Sequence, residues 1–539
     1  MTTRVLNGPA LERPAKVKAG PGGIVGLVRA VLGALSFNAL ANTFFFLAMV
    51  IGFLHGWLKM RYPHPLMTFA YDIPMSIALV FVLLKLKRKQ SLFPSSRVST
   101  AIQLLVALSV VYALLPFGVP WLVRLSSFRG WCFAPLMMLL GYHLIRSVRQ
   151  VEVFVWMMIL LGAGTAAYGI FFQSEAEVRS MMAANADLSS RLTGTFYSGS
   201  QGTTFRHFST YVTAAVFGSV MAICATFAIS RMLVPGATVV ERLALLVCGS
   251  LCSYALVLTG SRTSMLLLIM GVVLSAVFSK GGFRFLLLPV LLALPVAVGV
   301  VLVGGAAAER FGELLNPFAI WSRVYIVVGP GIGMILNDPF GGGLGRSGHG
   351  VPFSFAGLFR DFEFRATDGD IGRVMSDFGL PGLLVYAVLL YSGTSDSIRW
   401  MWRLRDSNLS VIAAPAGSMF LLALAQVFTG SPFLGIPAGM LVWILFGGLR
   451  RLVEEYERKA ATEGEAVEDL PEFVSFISRK KMSSIFQGGP IQLTEAFDKR
   501  AFREKFVEVG VAPRGGAALP ESRGAKTRFL FRREPKKAK

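Results

Sequence analysis

The chain has 539 residues, 54% of them hydrophobic and only 16% charged, with a formal net charge of +22. A mean hydropathy of +0.60 excludes a soluble enzyme of this size and defines a polytopic membrane protein. The positive excess falls in short loops and in the tail, where anionic lipid accounts for it, so a membrane surface and not nucleic acid is the expected partner.

Residues 1–35 form a basic, Pro/Gly-bearing leader, and no small-residue cleavage site follows the first apolar run, so no removable signal peptide is expected. Apolar runs then recur near 36–56, 69–86, 100–118, 130–146, 152–173, 208–230, 242–259, 264–279, 285–304, 378–393, 410–428 and 432–449. Each approaches the ~20 residues that span a bilayer as a helix. The expected fold is therefore all-α, with about twelve transmembrane helices in a domain over 36–449. Beyond it, 450–539 reads as a basic, partly disordered tail ending in "RFLFRREPKKAK". Cys132, Cys224, Cys248 and Cys252 all lie in apolar runs and read as packing thiols, with no metal-ligand spacing around them.

Lysine and arginine bias orients the helices. With the leader inside, the loops carrying Lys85, Lys87, Arg88 and Lys89, then Arg146 and Arg149, Arg231 and Arg242, Lys280 and Arg284, and Arg399, Arg403 and Arg405 all fall on the same side. Both termini are then cytoplasmic, and two long loops, 174–206 and 305–376, face outward, the second between the ninth and tenth helices. Arginines on that outer side are the informative ones, because positive charge is disfavoured there. They are Arg191 in "RLTGTF", Arg262 in "LTGSRTSMLLL", Arg323 in "NPFAIWSRVYIV", and Arg346, Arg360 and Arg365 in the large loop. Snorkelling to headgroups is the bland account of Arg262; the alternative is that two or three guanidinium forks hold a pyrophosphate without metal.

"RLTGTF", "LTGSRTS" opening a helix, "WSR" followed by "ILNDPFGGGLG", and "TDGDIGRVMSDFGLPGLL", in this order across 190–390, resemble the O-antigen ligase and O-antigen polymerase superfamily of bacterial envelope glycosyltransferases. The resemblance implies glycan transfer from a polyprenyl-pyrophosphate-linked oligosaccharide at the outer face of the inner membrane, with no cofactor or metal, and leaves room for a chain-length-regulating partner. It also implies that the helix-start Gly-Ser-Arg arginine and an arginine early in the large loop bind the donor pyrophosphate. Those positions are Arg262 and Arg323, and Arg191 is the third candidate. Where the ligases carry a histidine, this chain has Asp368, which favours the polymerase side of the superfamily.

Such a transfer needs a base at the attacking sugar hydroxyl and positive charge on the leaving pyrophosphate. Asp368 is the first candidate base and Asp370 the second, with a turn-forming Asp-Gly as the alternative account of Asp368. Asp377, expected in the first turn of the tenth helix, reads as a helix N-terminal charge. His349 in "GRSGHG" is the alternative base, although a lone loop histidine is usually solvated. The Gly343–Gly348 match to G-x-G-x-x-G follows no strand and reads as an anion-binding backbone nest, not a dinucleotide site. "LFRDFEFRATD" reads as an interfacial amphipathic segment, with sugar stacking on its rings as the rival. A ligase acting on lipid A core and a transporter are the competing functions; Asp72, whose position near a helix end an interface also explains, is the one acidic residue that would line a transport path.

Overall fold

A computed structural model of the chain describes residues 37–62, 67, 69–86, 91–115, 117–184, 196–199, 202–211, 213–232, 237–279, 316–351, 362–365, 367, 369–427, 430–435 and 437–463. The chain divides into two units, 1–470 and 471–539, and the second lies outside these residues. The described residues form thirteen helices and one short hairpin. In chain order these are α1 Phe37–Arg61, α2 Asp72–Lys85, α3 Arg97–Leu114, α4 Trp121–Leu144, α5 Val148–Phe171 and α6 Glu175–Ala184. Strands β1 Phe196–Gly199 and β2 Gly202–Phe205 follow, antiparallel with Phe196 opposite Phe205. Then come α7 Ala214–Met232, α8 Val239–Leu258, α9 Arg262–Val277, α10 Pro317–Asn337, α11 Gly369–Leu404, α12 Ser410–Gln426 and α13 Ala438–Glu463.

Eleven of the twelve apolar windows fall on helices, and the window 285–304 lies outside the described residues. Six helices, α1, α3, α5, α7, α8 and α11, are long and apolar enough to cross a membrane, as a polytopic membrane protein requires. The four cysteines are free and buried. The fold is helical, and the two expected long loops are not purely loop: the first contains α6 and the short β hairpin, and the second contains α10. The signal for α10 is local, an Asn316 cap whose side chain accepts from the Phe318 amide, followed by Pro317 at the first helical position.

Helices α4 and α13 pack along each other through glycine. A Cβ at Gly141 would strike the Ile444 carbonyl, and one at Gly447 the Met138 carbonyl, so small residues permit the backbones to meet where apolar lipid offers no hydrophobic drive. One end of the bundle carries a set of ion pairs, Arg231 with Glu152 and Glu241, Arg403 with Glu457, and Arg450 with Glu454. The opposite end is knitted by loops: the Trp57 amide donates to the Thr210 carbonyl, Ser126 Oγ to the Gly350 carbonyl, and the His207 amide to the Leu258 carbonyl.

Helix α11 is a folded hairpin, not a rod. A straight helix would hold Asp370 and Tyr386 about 24 Å apart. Their side chains are hydrogen-bonded at 3.1 Å, and a Cβ on Gly382 would touch Phe378 and Val374. The chain reverses at Gly379, whose φ of 62° and contact with the Pro339 carbonyl and Gly341 amide leave room for glycine alone. The second arm runs antiparallel to α3, with Tyr112 against Phe378 at one end and Asp396 accepting from the Val98 amide at the other. A broken helix survives among apolar segments only where freed backbone groups find partners. Here the Leu380 amide donates to the Pro339 carbonyl at 2.8 Å, and the Tyr112 hydroxyl is shared by the carbonyls of Phe340 and Phe378 at 2.8 and 3.1 Å. Tyr112→Phe is expected to cost about 1–2 kcal/mol, read as a lower melting temperature in detergent.

Candidate active site

The first arm of α11, before the reversal, carries Asp370, Arg373 and Asp377, spaced so that they share one helical stripe. Both carboxylates are completely buried, and each ties elements together. Asp377 accepts from Trp131 Nε1 of α4 at 2.9 Å and from the Ser347 amide at 2.7 Å. Asp370 accepts through Oδ2 from the Tyr386 hydroxyl and from the Phe433 amide at 3.2 Å, while its own amide donates to the Gly430 carbonyl; Oδ1 is buried without a partner among the described residues. Asp377 is therefore not a helix N-terminal charge: it lies at the closing end of the first arm, because the helix begins at Gly369 and not near 378.

The glycine-rich loop is an anion nest whose anion is internal. Gly341, Gly343, Gly345, Gly348 and Gly350 all have positive φ, which curls the backbone around Asp377. The Gly342 and Gly343 amides donate to the carbonyls of Ser376 and Asp377, and the Ser347 amide to the Asp377 carboxylate. The loop then lies along α4, Gly345 against Val123 and Gly350 against Ser126 and Gly130. The described part of the aromatic segment folds onto this loop and forms no amphipathic helix: Arg346 sits over the Phe362 ring at 4.9 Å, Phe362 meets Phe364 edge to face, and Arg365 pairs with Asp338 at 2.5 Å.

His349 is buried, not solvated. Its ring packs edge to face on Trp131 and against Gly130, and its Nδ1 lies 3.3 Å from Arg373 Nη1. A guanidinium only donates, so Nδ1 is the acceptor and the proton sits on Nε2. Burial, and then the Arg373 charge, hold this imidazole well below its ordinary value, at about 3. The unfolded imidazole takes up a proton near 6.5 and the folded one only near 3, so between those values the unfolded chain binds more protons and acid favours unfolding. Stability is expected to fall from pH 6.5 toward 3 by up to ~1.4 kcal/mol per unit from this group, and urea melts of His349→Asn should lack that share of the slope.

Arg373 belongs to none of the motif positions expected to bind, and its helical spacing from Asp370 and Asp377 is the one signal of it in the sequence. The side chain is half-buried, with Nη1 donating to Ser431 Oγ as well as facing His349. Continuing across Gly130, Arg129 pairs with Asp72 at 2.8 Å and lies over Phe69. Asp72, the first residue of α2, is only 5% exposed and is a buried ion-pair member.

Of the other expected site residues, Arg262 is the first residue of α9, half-buried, behind a turn that Gly260 makes at φ 57°. Thr259 Oγ1 accepts from the Ser261 amide, and Arg206 Nε donates to the Thr259 carbonyl at 2.7 Å, which puts a second arginine on the same turn. Helix α9 runs parallel to α7, Gly218 against Ser264 and Gly271 against Thr226. Its start therefore shares the loop-knitted end with His349 and Asp370. Arg323 lies on α10, which runs alongside the first arm of α11 with Gly331 facing Met375. Asp368 and Arg191 lie outside the described residues, as does Arg360. Among the described residues no group of three or more histidine, cysteine or acidic side chains gathers as a metal-ligand set.

No protein-family model matches the chain, and no curated protein does.

Proposed function

We propose that the chain transfers glycan from a polyprenyl-pyrophosphate donor to a sugar hydroxyl at the outer face of a bacterial inner membrane, as an envelope polysaccharide polymerase for O-antigen, capsule or exopolysaccharide. On this reading about twelve helices span the bilayer, both termini are cytoplasmic, and the loop-knitted end faces outward. The observation that carries the reading is the α11 hairpin: in a chain of apolar helices, it gathers Asp370, Arg373 and Asp377 at the end that also holds the Gly-Ser-Arg turn. A lipid donor fixes its pyrophosphate at that depth, and intramembrane ionisable groups are costly enough to mark function.

In the reaction, the acceptor oxygen forms a bond to the anomeric carbon with inversion as the bond from that carbon to the pyrophosphate oxygen breaks. The hydroxyl proton passes to a carboxylate, and the lipid pyrophosphate leaves onto arginine. Asp370 is too enclosed to serve as that carboxylate, with Oδ2 committed to Tyr386 and Phe433. Asp368 is the base in this reading, and Asp370 holds the arm beside it. Arg262 and Arg323, with Arg191 as the third, receive the pyrophosphate. A ligase would differ only in its acceptor, a lipid A core in place of a second lipid-linked repeat.

Asp368→Asn is expected to lower transfer at least ~100-fold with normal abundance in the membrane, the usual scale of a lost general base. Asp370→Leu is expected to lower the melting temperature. Transfer by Asp368→Asn at half the parent rate would remove Asp368 from the mechanism.

A further inference from the structure

We infer that Arg373 is a phosphate-binding residue and that His349 is its positioning residue rather than a proton acceptor, so that the two form one oxyanion-binding unit between the first arm of α11 and the glycine-rich loop. The inference rests on the pyrophosphate reading above and adds a residue to it. Three observations carry it. Among the described residues Arg373 makes hydrogen bonds through Nη1 alone, to Ser431 Oγ and His349 Nδ1, which leaves the donors of Nε and Nη2 for a ligand. Both partners accept as neutral groups, which fixes the guanidinium plane without neutralising its charge. Finally, Asp377 is filled by Trp131 and Ser347, and Asp370, one turn away, bonds through Oδ2 to Tyr386 and Phe433 and acts on Arg373 through its charge without forming an ion pair.

An arginine held open in this way, half-buried at the end of an apolar bundle, is suited to a planar two-donor contact with phosphoryl oxygens. The histidine's part follows from the same geometry. Its Nδ1 lone pair is turned to Arg373 and its Nε2 lies against the Gly130 backbone, so neither nitrogen is free to take a proton from a substrate hydroxyl. Protonating Nδ1 would turn the acceptor into a donor and release the guanidinium.

The test is inorganic pyrophosphate binding to the full-length protein in detergent, by calorimetry, with a melting curve for each variant. Arg373→Gln, which retains a donor for Ser431, is expected to bind pyrophosphate roughly 10- to 100-fold more weakly, the loss of a charge-assisted contact. His349→Phe keeps the packing on Trp131 without an acceptor and should weaken binding in the same direction. His349→Asn restores an acceptor near Nδ1 and should recover most of the affinity. A general base would instead leave pyrophosphate affinity unchanged in both histidine variants and lower only the turnover. Arg262→Ala separates the two readings. If it weakens binding while Arg373→Gln does not, the inference fails and the pyrophosphate reading stands; if the parent protein binds no pyrophosphate, both fail.

Discussion

Arg262→Ala abolishes surface polysaccharide in the expected outcome, with transfer down roughly 10²- to 10³-fold, the scale seen when one donor to a developing oxyanion is removed. The protein should still accumulate in the membrane. The reasons are local. Arg262 opens α9, so the leaving pyrophosphate would meet both the guanidinium and the unpaired amides at a helix start, two sources of positive potential in one place. The Gly260 turn is held by the Ser261 amide on Thr259 Oγ1 and by Ser261 Oγ beside Ser264 Oγ, bonds that the alanine variant keeps. Arg262→Lys should recover little, because lysine supplies charge without the two-donor fork. Polysaccharide yields and quantitative immunoblots of membranes, taken together, check the result. Normal polysaccharide from the alanine variant would remove the clamp.

Gly379→Val should have the largest effect on the fold. A β-branched residue at φ 62° costs about 1–3 kcal/mol in backbone strain alone. Its Cβ would also strike the Gly341 amide and the Pro339 carbonyl, which accepts from the Leu380 amide at the reversal. Opening the hairpin would separate Asp370 from Tyr386 and draw Asp377 away from Trp131 and Ser347, leaving two buried carboxylates without partners. Loss of folded protein from the membrane is expected, with Gly379→Ala intermediate. A valine variant that melts with the parent protein would mean that α11 does not reverse at this residue.

Much of the architecture is legible in the sequence because the bilayer sets a length scale. The apolar windows locate helices α1 to α5, α7 to α9 and α11 to α13 without reference to packing. What hydropathy misses lies where local and long-range signals diverge. Helix α10 is announced by Asn316-Pro317, a capping signal that an apolar average ignores. The reversal of α11 rests on Gly379 and Pro381 in "FGLPGLL", which also reads as an ordinary helix start. Once the arm is folded back, Asp377 moves from a helix terminus to a buried anion, and the glycine loop that looked ready for a ligand closes on it.

The candidate site was legible in its motifs and not in its contacts. "GSRTS" and "TDGDIGR" stand out in the sequence, but pairing Arg373 with His349 requires the glycine loop to cross α4 at Gly130, a contact between residues more than two hundred positions apart. Asp72 and Arg129 are likewise joined only by packing: Asp72 sits at the start of α2, and Arg129 one residue outside the apolar window of α4.

The most direct test of the central claim is to delete the gene and profile polyprenyl-linked glycans by mass spectrometry beside gels of envelope polysaccharide, with the full chain returned as the control. The account predicts single repeat units accumulating on the carrier, no long chains, and restoration by the parent chain. Long chains stranded on the carrier above a bare lipid A core would make the protein a ligase, and unchanged polysaccharide with no lipid-linked intermediate would contradict glycan transfer altogether.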